Sequence, residues 1–153
     1  MASVMKPEKP EAAPALYRLL TDSALSRAAL GACAFPLAML DAVAAARPVT
    51  FANPAFERFF GYGPGEALGR SLGALLFQGD ETAVQRLLAD PTARYVVKAA
   101  AKDGSPRPVE ITLGAVRAAD GRVTHWVVGF ADRSELERLR AELQGLRSLA
   151  AAP

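Results

Sequence analysis

Cys33 is the chain's single thiol and His125 its single imidazole. One cysteine cannot close an intrachain disulfide, and the two residues cannot assemble a cysteine- or histidine-based metal cluster. No Ser/His/Asp order with usable spacing, no glycine-rich phosphate loop and no paired-carboxylate motif occurs, so the sequence does not read as an enzyme. Recognition chemistry is what remains. Phe56, Phe59 and Phe60 recur at i, i+3 and i+4, with Phe51 just upstream. Such a cluster lines an apolar cavity or fills a core, and the spacing suits both. His125 and Trp126 are neighbours on an expected strand, so they point to opposite faces.

These residues need a scaffold, and the composition supplies one domain's worth. The chain has 153 residues, of which 51% are hydrophobic, enough for an ordinary core. The net charge of +2 is small and the basic residues are dispersed, which argues against nucleic acid as a partner. Met1–Pro14 lacks the apolar centre of a signal peptide. The most apolar run, Ala28–Leu40, is interrupted by Pro36 and is too short to span a bilayer. No membrane partner is expected, and the expected compartment is the cytoplasm.

Residues 1–13 read as a tail. Leu16, Leu19, Leu20 and Ala24 share one face of an amphipathic helix expected from Pro14 to about Leu30. Strands are expected at Phe35–Leu40 and Val49–Ala52. Asn53 is a good N-cap, and Pro54 suits the first turn of a helix to Phe60. Short helices or turns follow at Gly65–Leu68 and Leu72–Leu76. A further helix starts at Asp80-Glu81-Thr82, with acids at its positive end. Three strands then run over Arg94–Ala101, Pro108–Val116 and Val123–Phe130, joined by turns at Asp103-Gly104 and Asp120-Gly121. This order gives an antiparallel α+β sheet.

From Ser134, an expected N-cap, the pattern changes. Leu136, Leu139, Leu143 and Leu146 are spaced 3, 4 and 3, an a/d seam flanked by Glu and Arg. It lasts little more than two heptads, and Gly145 weakens it by up to about 1 kcal/mol. It pairs with another chain or folds back on its own sheet. The expected organisation is a domain over 14–132, a signalling or dimerisation helix over 133–149 and a tail at 150–153.

The run Ala52-Asn-Pro-Ala-Phe-Glu-Arg-Phe-Phe-Gly-Tyr, with Gly69-Arg70, Lys102-Asp103-Gly104-Ser105, Asp120-Gly121, Val128-Gly129 and the closing Asp132-Arg-Ser-Glu, resembles the PAS family, and within it the light-oxygen-voltage branch. The resemblance implies a PAS fold: a five-stranded antiparallel sheet with short helices over one face, flanked by N- and C-terminal helices. It also implies a sensory, signal-transducing role.

The photoactive branch carries Asn-Cys-Arg after Gly-Arg, whereas this chain has Ser71-Leu72-Gly73. The resemblance therefore implies a cysteine-less, non-photoactive relative, because Leu72 offers no thiolate. Flavin, as FMN or FAD, is raised by the branch but loses polar partners at Ala99, Val109 and Ala131. Gln78 and Arg86 are the positions left to meet it, so the cofactor stays open. By the same resemblance the pocket-lining candidates are Asn53, Phe56, Phe60, Leu72, Leu76, Gln78, Arg86, Ala99, Val109, Ile111 and Ala131. Those side chains surround a ligand or close the pocket themselves. The expected dimer interface is Trp126 with Leu136, Leu139, Leu143 and Leu146. The chain reads as a stand-alone homodimer passing its output to a protein effector or kinase in trans. A flavin-based redox or photoreduction sensor without an adduct, or a ligand-free dimerisation module, is the alternative.

Overall fold

The computed structural model describes residues 28–151. The helix expected from Pro14 lies outside them except at its end, where 28–31 are helical. Five strands follow the chain: β1 Leu37–Asp41, β2 Val49–Ala52, β3 Tyr95–Ala100, β4 Pro106–Arg117 and β5 Val123–Asp132. Their order across the sheet is β2-β1-β5-β4-β3, with every neighbouring pair antiparallel. Between β2 and β3 the chain crosses one face of the sheet as α1 Pro54–Phe60, α2 Leu72–Leu76 and α3 Glu81–Ala89. Residues 64–69 form turns, where the sequence also allowed a helix.

The period of two along each strand decides what meets those helices. Ile111 pairs with Phe130 and Leu113 with Val128, and these four face inward. Ala38, Leu40, Val49, Ala99 and Val109 join them in one cluster with the helical Phe56, Phe60, Leu72 and Leu76. The short helices are started by capping side chains. The Ser71 hydroxyl accepts the Ala74 N–H at 3.1 Å to start α2, and the Asp80 carboxylate accepts the Thr82 N–H at 3.0 Å to start α3. Gly61, at φ 81°, ends α1 in the left-handed conformation that glycine adopts without strain. At Gly73 a Cβ would lie 2.6 Å from the Glu81 carboxyl, the movable end of an exposed side chain on α3.

The last element is α4, Ser134–Ala151, an unbroken helix that passes through Gly145. It begins differently from expectation. Ser134 is its first helical residue, and the Asp132 carboxylate accepts the Ser134 N–H at 2.9 Å.

Candidate functional site

Seven of the expected pocket residues meet in one place. Phe56, Phe60, Leu72, Leu76, Ala99, Val109 and Ile111 are all buried and belong to the same cluster. Their side chains occupy the interior between α1, α2 and the sheet. The Phe56 and Phe60 ring centroids are 4.8 Å apart, and Phe130 lies 5.6 Å from the first and 5.2 Å from the second. Such tilted and edge-on contacts add about 0.5–1.5 kcal/mol per pair beyond area burial. Tyr62 seals the same region, its hydroxyl donating to the Leu75 carbonyl at 2.6 Å.

Asn53 is fully buried, but its amide is committed to the backbone. Oδ1 accepts the N–H of Leu37 at 3.0 Å and of Phe56 at 2.9 Å. Nδ2 donates to the carbonyls of Phe35 at 3.0 Å and Leu30 at 3.2 Å. Two donor hydrogens and two acceptor bonds leave nothing to offer a ligand. Asn53 is the joint between β2, α1 and the approach to β1.

Four other expected positions lie elsewhere. Gln78 is exposed on a left-handed turn, φ 54°, and lines an open cleft of about 320 Å³ together with the expected Leu76 and Ala99 and with Asp80 and Lys98. Arg86 is exposed on α3. Ala131 sits on the outer face opposite Glu110, because the alternation that turns Phe130 inward turns its neighbour out. Trp126 pairs with Ala115 and Leu40 and packs half-buried against the core. The aromatic group divides too. Phe56 and Phe60 are core and Phe59 packs against it, whereas Phe51 pairs with the outward-facing Met39. Phe130 and Tyr62 were not among the expected residues. The alternation of Trp126, Val128 and Phe130 was the available signal for the first.

The second constellation is where β5 becomes α4. Arg133 Nη1 donates to Glu110 Oε2 on β4 at 3.0 Å, with both side chains only about a fifth exposed, 20% and 19%. Arg94 on the loop before β3 approaches the other Glu110 oxygen at 3.7 Å. The Arg133 N–H also donates to the Pro108 carbonyl at 2.8 Å, and the Arg133 carbonyl accepts the Glu137 N–H at 2.9 Å. Beyond this root α4 has no buried residue. Exposure climbs along the seam from 38% at Leu136 through 48% at Leu139 and 50% at Leu143 to 64% at Leu146. The helix does not fold back on its own sheet.

A family model described as a PAS domain matches residues 38–135. The chain belongs to the PAS domain family. Among solved structures, this PAS domain is similar to an RNA-binding light-oxygen-voltage receptor, 30% identical with a TM-score of 0.70, over 88% of this chain and 38% of that one. It shares the fold of the Rhodobacter sphaeroides LOV protein at 22% identity and a TM-score of 0.60, over 69% of this chain and 63% of the other. A curated relative is the bacterioopsin transcriptional activator of Halobacterium salinarum (strain ATCC 700922 / JCM 11081 / NRC-1), 29% identical over 137 residues, 85% of this chain and 19% of that protein. The PAS domain thus spans about a fifth of that activator and well under half of the receptor.

Flavin is the group implied by the light-oxygen-voltage branch, and the residues of this PAS domain do not fit it. Phe56, Phe60 and Phe130 fill the interior, Ala99 and Val109 offer no side-chain donor or acceptor, and Gln78 and Arg86 stand outside the buried cluster. Leu72 occupies the cysteine position and is buried. Cys33 lies between the helical residues 28–31 and β1, its Sγ 3.6 Å from the Ala29 carbonyl. Among the described residues no cluster of His, Cys, Asp and Glu could hold a metal, and no helix is long and apolar enough to cross a membrane.

Proposed function

We propose that this PAS domain is a cytoplasmic sensory or interaction module that works as a homodimer and passes its state through α4 to a protein effector, such as a kinase acting in trans. One observation carries the reading. α4 is anchored to the sheet at its first turn, by Arg133 on Glu110 and Pro108, and then exposes an apolar seam along its length. A helix fixed at its root and bare beyond it converts a small shift of β4 or β5 into a change at its far end.

The filled interior supports a module driven by partner binding over one driven by flavin. Any input must favour one placement of α4 over another by a difference in free energy, or nothing is transmitted. The likeness to a transcriptional activator and to a light-oxygen-voltage receptor supports a signalling role. RNA binding is not carried over from that receptor, since the basic residues here are few in excess and dispersed.

Light scattering on the purified chain tests the proposal. The wild type is expected at twice the monomer mass, and the double variant Leu139→Glu, Leu143→Glu at the monomer mass with unchanged circular dichroism from the sheet. A folded double variant that stays dimeric removes the seam from the mechanism.

A further inference from the structure

We infer that the open edge of β4, Thr112–Arg117, takes up an extended, acidic peptide segment of a partner protein as an added strand. The site is separate from α4 and stands whether or not the chain dimerises.

The edge follows from unequal strand lengths. β4 runs over Pro106–Arg117, but β3 pairs with it only as far as Tyr95 opposite Ile111. Among the described residues, the outer half of β4 has β5 on one side and no strand on the other. Backbone groups alternate sides along an antiparallel strand. The Pro108 carbonyl accepts the Arg133 N–H, so Pro108 turns toward β5. Glu110, Thr112 and Gly114 therefore turn toward β5 as well, and Leu113 and Ala115 turn their N–H and C=O to the open side. The register shift lies beyond them, between Val116 and Arg117. Among the described residues no hydrogen bond from a turn or loop reaches either one.

Exposed edges are commonly closed by proline, charge or a covering element. Thr112–Val116 carries neither proline nor charge. Instead an open cleft of about 290 Å³ runs beside it, lined by Leu113, Ala115 and Trp126 and walled by the loop from Pro91 to Arg94. Backbone groups beside such a pocket suit strand addition, in which the main chain binds and alternate side chains enter the pocket. The open half has room for about 20 Å of strand before β3 occupies the lane.

Charge selects the occupant. The charged residues lining the cleft are Arg94 and Arg117, and no carboxylate lines it among the described residues. Arg117 is exposed and has no ion pair among them. Arg94 is 80% exposed and shares Glu110 with Arg133. An acidic segment is therefore attracted, whereas a second copy brings its own Arg94 and Arg117 to the same cleft, like against like. Two-fold pairing along the whole edge would also run the β4–β5 turn of that copy into the start of β3.

The experiment follows amide exchange in the full chain by NMR. In the free protein, Leu113 and Ala115 are expected to exchange about tenfold faster than Thr112 and Gly114, whose N–H groups are bonded to β5. Equal protection means that another stretch of the chain or a second copy already covers the edge, and overturns the proposal.

The probe is a short capped peptide alternating valine and glutamate. It is expected to slow exchange at Leu113 and Ala115 about tenfold at saturation and to shift the fluorescence of Trp126, the chain's single tryptophan. The peptide with lysine in place of glutamate is expected to do neither. No protection at about 1 mM glutamate peptide, or equal binding of the lysine peptide, overturns the proposal.

Two variants place the site. Ala115→Pro removes an N–H that the sheet does not use, so it is expected to keep the circular dichroism and abolish binding. Arg117→Glu leaves the backbone intact and is expected to weaken binding about fivefold. Undiminished binding in Arg117→Glu, or in a folded Ala115→Pro, overturns the site. The Leu139→Glu, Leu143→Glu variant is expected to bind the peptide as the wild type does, and loss of binding there would overturn a site separate from α4.

Discussion

Oδ1 of Asn53 accepts the Leu37 N–H at 3.0 Å, so a side chain at the end of β2 fixes where β1 begins. The same oxygen caps α1, and the amide nitrogen holds two carbonyls of the segment leading into β1. One residue therefore sets the register of a helix, a strand and a turn. It does so at zero exposure, where each lost bond leaves a buried polar group unmet.

Asn53→Ala is expected to cost about 2–4 kcal/mol, since it orphans several buried backbone groups. Asn53→Asp keeps the acceptor but loses both donors and buries a charge, so it is expected to be no better. Urea unfolding followed by fluorescence of Trp126 measures both. A loss under about 0.5 kcal/mol for the alanine variant, as for an exposed cap in a peptide, would contradict the role given to this side chain.

The interior is filled, and truncation should behave accordingly. Phe56→Ala is expected to lose about 3–5 kcal/mol and Ile111→Val about 0.5–1.5 kcal/mol. The wild type, mixed with FMN, is expected to leave the free flavin's absorption spectrum unchanged. Co-purifying yellow colour with a structured band would show that Phe56, Phe60 and Phe130 make room.

Tyr62 gives a pH dependence with a defined sign. It is 8% exposed, and burial pushes its hydroxyl above the ordinary value of 10.0, with Arg70 pulling the other way. The folded state favours the neutral phenol. This contribution is complete below the unfolded value and is lost as pH rises through the raised folded one. Thermal stability should therefore fall above about pH 10, the ordinary tyrosine value, and Tyr62→Phe should flatten that part of the curve while losing the bond to Leu75 at neutral pH.

The Glu110–Arg133 pair should couple the sheet to α4. Both side chains are about four-fifths covered, and a double-mutant cycle with alanine at each is expected to give about 1 kcal/mol. Glu110→Ala should also speed amide hydrogen exchange in 134–138 more than in β1, because Arg133 Nε is already buried without a partner and the guanidinium then loses its carboxylate. Equal exchange in the two regions would detach the ion pair from the helix root.

Much of this was legible in the chain. β2 at Val49–Ala52 and α1 at Pro54–Phe60 fall where β-branched residues, cap, proline and apolar spacing put them, and the turn expected at Leu72–Leu76 is the short helix α2. Those signals are local and need no partner. Ala131 was expected at the pocket and faces outward because facing depends on register, and a slip of one residue reverses the face. Asn53 read as a helix cap, but its bonds to Leu30, Phe35 and Leu37 depend on strand pairing that no local pattern encodes. The Glu110–Arg133 pair was hidden likewise, since 23 residues separate its members.

The strand order has a mechanical consequence. β1 and β5 are neighbours at the middle of the sheet, and the Phe130 N–H donates to the Pro36 carbonyl where the chain enters β1 and is about to leave β5. Entry and exit therefore lie side by side at one end of an antiparallel pair. Tension applied through sequence on both sides would peel these strands apart one hydrogen-bonded step at a time, like a zipper, without shearing the whole ladder at once. The sheet itself therefore adds little to the distance between the chain entering β1 and the chain leaving β5, and what length the domain adds lies in α4.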